Sequence, residues 1–270
     1  MKSKKIKDLV IAIKGAGEMA TGTACRLFNA NFKYIFMMEI QNPVAVRRNV
    51  SFCETAYDGT TCVEGITAIK TSDTAEIQSA WNRHQIPVVV DPDWHTIKAL
   101  RPHVVIDAII AKKNLGTHRS EAPLVIGLGP GFEAGLDVHM AIETNRGHNL
   151  GRILTNGCPE PNTGIPGNIA GYTSERVLRA PCSGIFTSSL TIGTLVKKND
   201  VIGQVDTQPV ISRIDGVLRG LIRNHTQVTD QLKIGDIDPR GNIDYCSTVS
   251  EKSRAIGGSV LEAILSEYNR

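Results

Sequence analysis

The sequence predicts an α/β protein in which a Rossmann-like doubly wound parallel sheet is followed by an all-β barrel-sandwich module of the biotinyl/lipoyl-like type. Three observations predict this fold class. A buried-strand pattern leads into a glycine loop near the amino terminus, further apolar runs alternate with helical segments, and the segment 179–239 contains two copies of one pattern at a constant offset. Strands that alternate with helices are typical of a parallel sheet. We predict a nucleotide-binding domain at 1–175, a β domain at 176–245 and a helical tail at 246–270.

The glycine loop follows the first predicted strand. Leu9–Ile13 is the apolar run that a buried parallel strand requires, and Gly15-Ala16-Gly17 comes shortly after it. Glycines at this place permit a tight turn and a close approach of a phosphate to the backbone. A helix predicted from about residue 18 to 29 offers free N–H groups and the positive end of its dipole to an anion. We therefore expect this loop to bind a nucleotide, the alternative being that the glycines serve only the turn.

An acidic residue stands where a dinucleotide-binding fold needs one. The second predicted strand, Tyr34–Met38, is followed by Glu39. This carboxylate comes roughly 20 residues after the glycines, where such a fold places a ribose-binding acid. We expect Glu39 to contact the nucleotide, and the alternative is that it is solvated.

Later strands bring more polar residues to the same edge of the predicted sheet. Apolar runs near 88–90 and 104–106 end in Asp91 and Asp107, and the run at 124–126 leads into the glycine-rich segment Gly127–Gly135. Ligands of such sheets bind beyond the carboxyl ends of the strands. Gly129 and Gly131 are therefore predicted to contact the same cofactor, through an anion nest or as part of a tight strand exit.

A possible metal or substrate site lies just after this segment. Asp137, His139 and Glu143 alternate with apolar residues, so we predict a strand with these polar side chains on one face. Asp137 and His139 lie about 7 Å apart on a strand, close enough to share one metal or substrate group. The alternative is a structural histidine. No metal ligand set is assigned.

The second predicted domain is an internal duplication. Ser183-Gly184-Ile185 aligns with Asp215-Gly216-Val217, and at the same offset Ile202-Gly203 aligns with Ile234-Gly235. Two copies predict a closed β module with pseudo-twofold symmetry rather than a solenoid. The segment that joins them, 206–210, lacks the lysine that a carrier domain modifies. We therefore predict a docking or structural role for the module, and a tail helix that packs on the body or on a second subunit.

Composition excludes several classes of protein. The net charge of +3 is too small to indicate nucleic acid or a membrane surface as a partner, and the apolar runs are shorter than a membrane span. The basic segment MKSKKIKD leads into too short an apolar run for a signal peptide. The six cysteines form no Cys-x-x-Cys pair. Free thiols predict a cytoplasmic protein.

Several long motifs carry a resemblance to a known family. They include EIQNPVAVRRNVSF, VVIDAIIAKKNLGT, LVIGLGPGFEAGLDVH and RAIGGSVLEAIL. Together they resemble the YqeB-type family of the selenium-dependent molybdenum hydroxylase system, whose Rossmann part is similar to XdhC-like maturation factors. The resemblance implies an accessory protein that helps to mature the client molybdenum hydroxylase, and it implies no catalytic residues.

These expectations combine into one predicted function with two alternatives. We expect a maturation factor that binds a nucleotide or a molybdopterin-type cofactor through Gly15, Ala16, Gly17, Glu39 and the second glycine loop. The alternatives are an NAD(P)-dependent oxidoreductase and a non-catalytic binding scaffold. The cofactor is unknown, with NAD(P) and a molybdopterin cofactor both open. Whether a reaction is catalysed and whether the chain forms a homo-oligomer also stay open.

Overall fold

The computed structural model describes residues 6–269. Contacts divide the chain into two compact units. Unit 1 comprises Met1–Pro43, Ser51–Asn162 and Val249–Arg270, and unit 2 comprises Val44–Val50 and Thr163–Thr248. The first five residues of the basic amino-terminal segment lie outside the described residues. The predicted domain boundaries stay a prediction, because compactness alone does not show that a segment folds by itself.

Unit 1 is built on a nine-stranded sheet. Its strands in chain order are β1 (Val10–Lys14), β2 (Tyr34–Glu39), β3 (Thr60–Val63), β4 (Ile66–Thr71), β5 (Ile86–Val90), β6 (Val104–Asp107), β7 (Leu124–Leu128), β8 (Met140–Ile142) and β9 (Ile153–Leu154). Its helices are α1 (Glu18–Asn29), α2 (Thr55–Asp58), α3 (Thr74–Asn82), α4 (His95–Leu100) and α5 (Glu251–Tyr268).

The order of the strands is β3-β4-β5-β2-β1-β6-β7-β8-β9. The seven strands from β4 to β8 in this order are parallel, and β3 and β9 pair antiparallel at the two edges. The hairpin insertion predicted between 51 and 70 is confirmed by the β3–β4 pair, which turns at Glu64-Gly65.

The predicted Rossmann-like doubly wound parallel sheet is wrong. The sheet is mixed, because β3 and β9 pair antiparallel at its two edges, and β4 extends it beyond β5. Within the described residues, the connections from β6 to β7 and from β7 to β8 contain no α-helix, only a short 3-10 helix at Arg119–Glu121. Of the strand predicted over 137–143, only β8 (Met140–Ile142) forms. Local patterns identified most strands, but the order of a sheet depends on long-range pairing.

Small residues hold α5 against α1. An added Cβ at Gly22 would lie 2.0 Å from Ser253 Oγ and 3.0 Å from Val249 Cγ1, and one at Gly257 would lie 3.0 Å from the Gly22 carbonyl oxygen. Ser253 Oγ donates to the Glu18 carbonyl at 3.1 Å. The predicted packing of the tail helix on the body is therefore confirmed. The contact depends on the absence of side-chain volume at Gly22.

Unit 2 consists of two four-stranded antiparallel sheets. Its strands are β10 (Val177–Arg179), β11 (Gly184–Thr187), β12 (Leu195–Val196), β13 (Val201–Val205), β14 (Gln208–Ile211), β15 (Gly216–Leu221), β16 (Thr226–Val228) and β17 (Lys233–Asp238). The sheet orders are β10-β17-β15-β12 and β14-β13-β11-β16. Side chains from both sheets form one hydrophobic cluster, which includes Leu178, Phe186 and Leu218.

The sequence repeat is also a structural repeat. Gly184 in the first copy corresponds to Gly216 in the second. At the same offset, the strand pair Leu178↔Gly235 corresponds to the strand pair Val210↔Gly203. Likewise, the pair Val196↔Gly216 corresponds to the pair Val228↔Gly184. The fold class predicted for the module is nevertheless wrong. The strands form two separate antiparallel sheets, and no strand pairing among the described residues closes them into a biotinyl/lipoyl-like barrel-sandwich.

Charged residues break this symmetry in the core of unit 2. Asp236, which is buried, accepts hydrogen bonds from Arg176 and Arg219, and Arg219 Nη1 also donates to Asp238 Oδ2 at 3.1 Å. In the first copy of the repeat, the positions equivalent to Asp236 and Arg219 hold a glutamine and a threonine. The second copy therefore contains buried charged residues that the first copy lacks.

None of the helices in residues 6–269 combines the length and the apolar character that crossing a bilayer requires.

A substitution at the contact between α1 and α5 tests the packing. Gly22→Ala is expected to destabilise unit 1 by about 1–3 kcal/mol, because overpacking forces neighbouring atoms to shift. Gly258→Ala is the matched control within α5, since a Cβ there meets no heavy atom within 4 Å. That control should stabilise the helix by roughly 0.5–1 kcal/mol. Urea unfolding followed by tryptophan fluorescence measures both, and equal effects would contradict the packing described.

Candidate functional site

The crevice between β1 and β6 is the topological switch point of the large sheet. From β1 the chain continues to its neighbour β2 on one side, whereas from β6 it continues to β7 on the other. Open α/β sheets bind their ligands beyond the carboxyl ends of the strands at such a point. The last residues of the two strands, Lys14 and Asp107, are register partners. The switch point therefore has a cation and a carboxylate side by side.

Lys14 is completely buried, and its ammonium is held by three residues from two different segments. Nζ donates to Thr117 Oγ1 at 2.7 Å, and both carboxylate oxygens of Glu121 lie 2.8 Å from it. The Trp94 ring lies below it, with 3.6 Å between Nζ and the ring centroid. A buried ammonium is tolerated only with such partners. Trp94 follows β5, and Thr117 and Glu121 precede β7.

The Thr117 hydroxyl joins Lys14 to Asp107. Thr117 Oγ1 accepts from Lys14 Nζ and donates to Asp107 Oδ2 at 2.7 Å. Asp107 is buried as well, and its Oδ1 accepts from the Ile109 amide at 3.2 Å. Asn114 fixes the threonine, because its Oδ1 accepts from the Thr117 amide at 2.8 Å. Cation, hydroxyl and carboxylate thus form one continuous hydrogen-bonded chain.

Burial shifts the two ionisable ends in opposite directions. It lowers the pKa of Lys14 from its ordinary value of 10.5, although Glu121 and Asp107 favour the charged ammonium. It raises the pKa of Asp107 from its ordinary value of 3.8, against the hydrogen bond from Thr117 and the charge of Lys14. Both shifts move toward neutrality, because desolvation penalises the charged forms.

The loop after β6 contributes Thr117 and Asn114 to this cluster and is strained. Ile110 and Lys112 have φ of 60° and 63°, in the left-handed region. For a β-branched residue such as Ile110 that conformation is a genuine outlier. A Cβ at Gly15 would lie 3.2 Å from Ile109 Cα, so the glycine loop and the β6 loop meet closely. Strain of this kind concentrates at binding and catalytic sites.

Four of the residues predicted to bind a cofactor lie together, but their amides are largely used. Gly15 N donates to the Met38 carbonyl at 2.8 Å, and Ala16 N donates to Glu39 Oε2 at 2.9 Å. Burial raises the pKa of Glu39. Beside Gly17, a Cβ would meet no heavy atom within 4 Å, so space remains there. Glu39 is half-buried and is a partner of the glycine loop itself.

The other two predicted residues belong to the loop after β7. Gly129 N donates to the Ile142 carbonyl at 2.9 Å, and Gly131 packs so closely on Lys113 that a Cβ would lie 2.5 Å from Lys113 Cα. Gly131 therefore supports the β6 loop. The assignment of all six residues to a bound nucleotide stays a prediction.

Asp137 and His139 have separate structural roles. Asp137 Oδ2 accepts from the Glu133 amide at 2.9 Å, and His139 Nδ1 accepts from the Val125 amide at 2.9 Å. Glu143 accepts from the amides of Asn145 and Glu160. Across residues 6–269, no three His, Cys, Asp or Glu side chains converge as a metal site would require. The structural-histidine alternative describes His139.

Sequence reasoning found Asp107 but missed Lys14, Trp94, Thr117 and Glu121. The one available signal was Lys14 itself, a charged residue that ends a buried strand. Thr117 lies 103 residues and Glu121 lies 107 residues from Lys14 in the chain. No local pattern links such distant positions.

Removing the Lys14 charge tests the network. Lys14→Met should cost about 3–5 kcal/mol of stability, because it leaves buried carboxylates without their cation. The control is Arg146→Met, since the Arg146–Glu251 ion pair of unit 1 is partly exposed. That variant should lose no more than about 1 kcal/mol. Urea unfolding followed by tryptophan fluorescence compares them, and a similarly small loss in both variants would refute the role given to Lys14.

Comparison with known proteins relates the chain to one curated sequence. No family model matches it. The Escherichia coli (strain K12) protein described as uncharacterized protein YqeB is 47% identical over 256 residues, which is 95% of this chain and 47% of that protein. The chain therefore spans about half the length of this relative.

Solved structures align only weakly. An aspartoacylase family protein from Mesorhizobium loti is 12% identical with a TM-score of 0.25, over 75% of this chain and 55% of that one. A succinylglutamate desuccinylase/aspartoacylase from Rhodobacter sphaeroides is 13% identical with a TM-score of 0.25, over 85% of each chain. Similarity this low supports no statement about activity.

These findings correct the predicted function and support the predicted family. The aligned structures are described as aspartoacylase or succinylglutamate desuccinylase proteins, and none of the proteins named above is described as a maturation factor. The predicted maturation factor for a selenium-dependent molybdenum hydroxylase finds no support in these comparisons, and that prediction is withdrawn. The identity of 47% along 95% of the chain supports a YqeB-type family, and to that extent the predicted resemblance is confirmed.

Proposed function

We propose that the chain binds a small polar molecule at the switch point between β1 and β6, and that Lys14 and Asp107 act on it as a general acid–base pair. One observation carries this proposal. The Thr117 hydroxyl lies 2.7 Å from both Lys14 Nζ and Asp107 Oδ2, at the place where open α/β sheets bind ligands. The hydroxyl can pass a proton between the two groups.

The directions of the pKa shifts suit proton transfer. General acid–base catalysis is most effective when the pKa of the group lies near the working pH, and enzymes reach this by burying lysines and carboxylates. Burial lowers the pKa of Lys14 and raises that of Asp107. Structural ion pairs also shift pKa values. The switch point and the strained loop support a site here beyond the shifts themselves.

Access to Lys14 requires the β6 loop to move. The lysine is fully buried, and the loop packs on Gly15 while Ile110 and Lys112 hold left-handed conformations. Opening the loop would release this strain and expose the hydrogen-bonded chain. Loops that close over a site exclude water and complete the arrangement of reacting groups. The space beside Gly17 lies on the neighbouring loop and is the place for the rest of the molecule.

Nuclear magnetic resonance of protein labelled with ¹³C at lysine Cε tests the pair. The Lys14 resonance is expected to be shifted by the Trp94 ring below it, and its absence in Lys14→Met assigns it. Its titration midpoint should lie below 10.5, because burial outweighs the neighbouring carboxylates. In Asp107→Asn the midpoint should fall further, since a charge that favours the ammonium is lost.

The matched control is Asp93→Asn, which removes an exposed carboxylate after β5. This variant should have the same titration midpoint for Lys14 as the unaltered protein. Equal midpoints in the Asp107→Asn and Asp93→Asn variants would show that the two groups do not act together. A midpoint at or above the ordinary value of 10.5 would contradict the lowered pKa that the acid–base role of Lys14 requires.

A further inference from the structure

A cavity lies in unit 2, in the β module. Its volume is about 740 Å³. It lies against β10 and β14, which are one edge strand of each sheet. Its buried apolar residues include Leu178 and Val210, which occupy equivalent places in the two copies of the repeat. Small-molecule sites commonly enclose about 300–1,000 Å³. The cavity is therefore large enough for a metabolite.

Equivalent residues of the two repeats also frame this cavity. Asn199 and Gln231 both line it, and their φ angles of 76° and 62° are left-handed. Asn199 N donates to the Ser212 carbonyl at 2.8 Å, and Gln231 N donates to the Ala180 carbonyl at 3.0 Å. Matching hydrogen bonds thus fix the corners of the cavity, so its shape is set by the backbone of both halves.

The charged residues that line the cavity do not follow the twofold symmetry of the repeat. Arg179 and Arg213 line the cavity, while the repeat-related positions hold Ile211 and Pro181. None of the lining residues, all within the described part of the chain, carries a carboxylate. Arg179 Nη1 donates to the Gln231 carbonyl at 2.8 Å, which orients a guanidinium that has further N–H donors. The lining of the cavity thus combines buried apolar side chains with two arginine guanidinium groups.

We infer that this cavity binds a small molecule that carries an anionic group on an apolar body. Arginine is the side chain best suited to a carboxylate, phosphate or sulfonate, because its planar N–H groups match the oxygens. The buried Leu178 and Val210 would accept the apolar body. This site lies wholly in unit 2 and is independent of the switch-point site in unit 1.

Titration of the full chain with 8-anilinonaphthalene-1-sulfonate tests the inference, because this fluorescent probe has a sulfonate on an aromatic body. Saturable binding is expected in the folded protein. The double variant Arg179→Gln with Arg213→Gln should weaken it at least tenfold. Near-ultraviolet circular dichroism verifies that the variant remains folded.

The matched control removes two charges elsewhere, by Lys33→Gln with Lys198→Gln. Both lysines are exposed and do not line the cavity. This control should change the affinity less than twofold. Absence of saturable binding, unchanged affinity in the arginine variant, or equal weakening in both double variants would overturn the inference.

Discussion

The buried ammonium of Lys14 is the constraint on which the organisation of the large sheet's carboxyl edge depends. Taking a charge out of water costs several kcal/mol unless partners surround it. The chain meets that cost with Thr117 and Glu121 before β7 and Trp94 after β5. Two connections, β5–β6 and β6–β7, thus supply the partners of this one nitrogen atom. The loop after β6 brings Thr117 to the same point, and it holds Ile110 and Lys112 in left-handed conformations.

Both units combine a regular backbone arrangement with an irregular distribution of charged residues. In unit 1, the frame is the nine-stranded mixed sheet and the charge lies at its switch point. In unit 2, the frame is a duplication whose two halves repeat their pairing and turns. The buried Arg219–Asp236 pair has no counterpart in the first copy, and each cavity arginine, Arg179 and Arg213, has none in the other copy. Fold alone does not determine function, so these departures from regularity are where function is to be sought.

Sequence patterns identified the local elements well and the global arrangement poorly. The strand–glycine–helix unit at Gly15, the β3–β4 hairpin and the repeat in unit 2 all follow from short-range composition. The antiparallel pairing of β9 with β8 does not, because an edge strand can pair in either direction and only the complete core selects one arrangement. The same limit hid the site. Asp107 could be placed at the strand ends, but Lys14 acquires its meaning only from partners in a distant part of the chain, Thr117 and Glu121.

A double-mutant cycle on Lys14 and Asp107 tests the central claim most directly. The free energy of unfolding would be measured for the unaltered protein, Lys14→Met, Asp107→Asn and the double variant, with tryptophan fluorescence as the probe of unit 1. If the two groups share one network through Thr117, the single effects should fail to add by about 0.5–3 kcal/mol. Additivity within about 0.3–0.5 kcal/mol would mean that they act independently, and the proposed acid–base pair would have no physical basis.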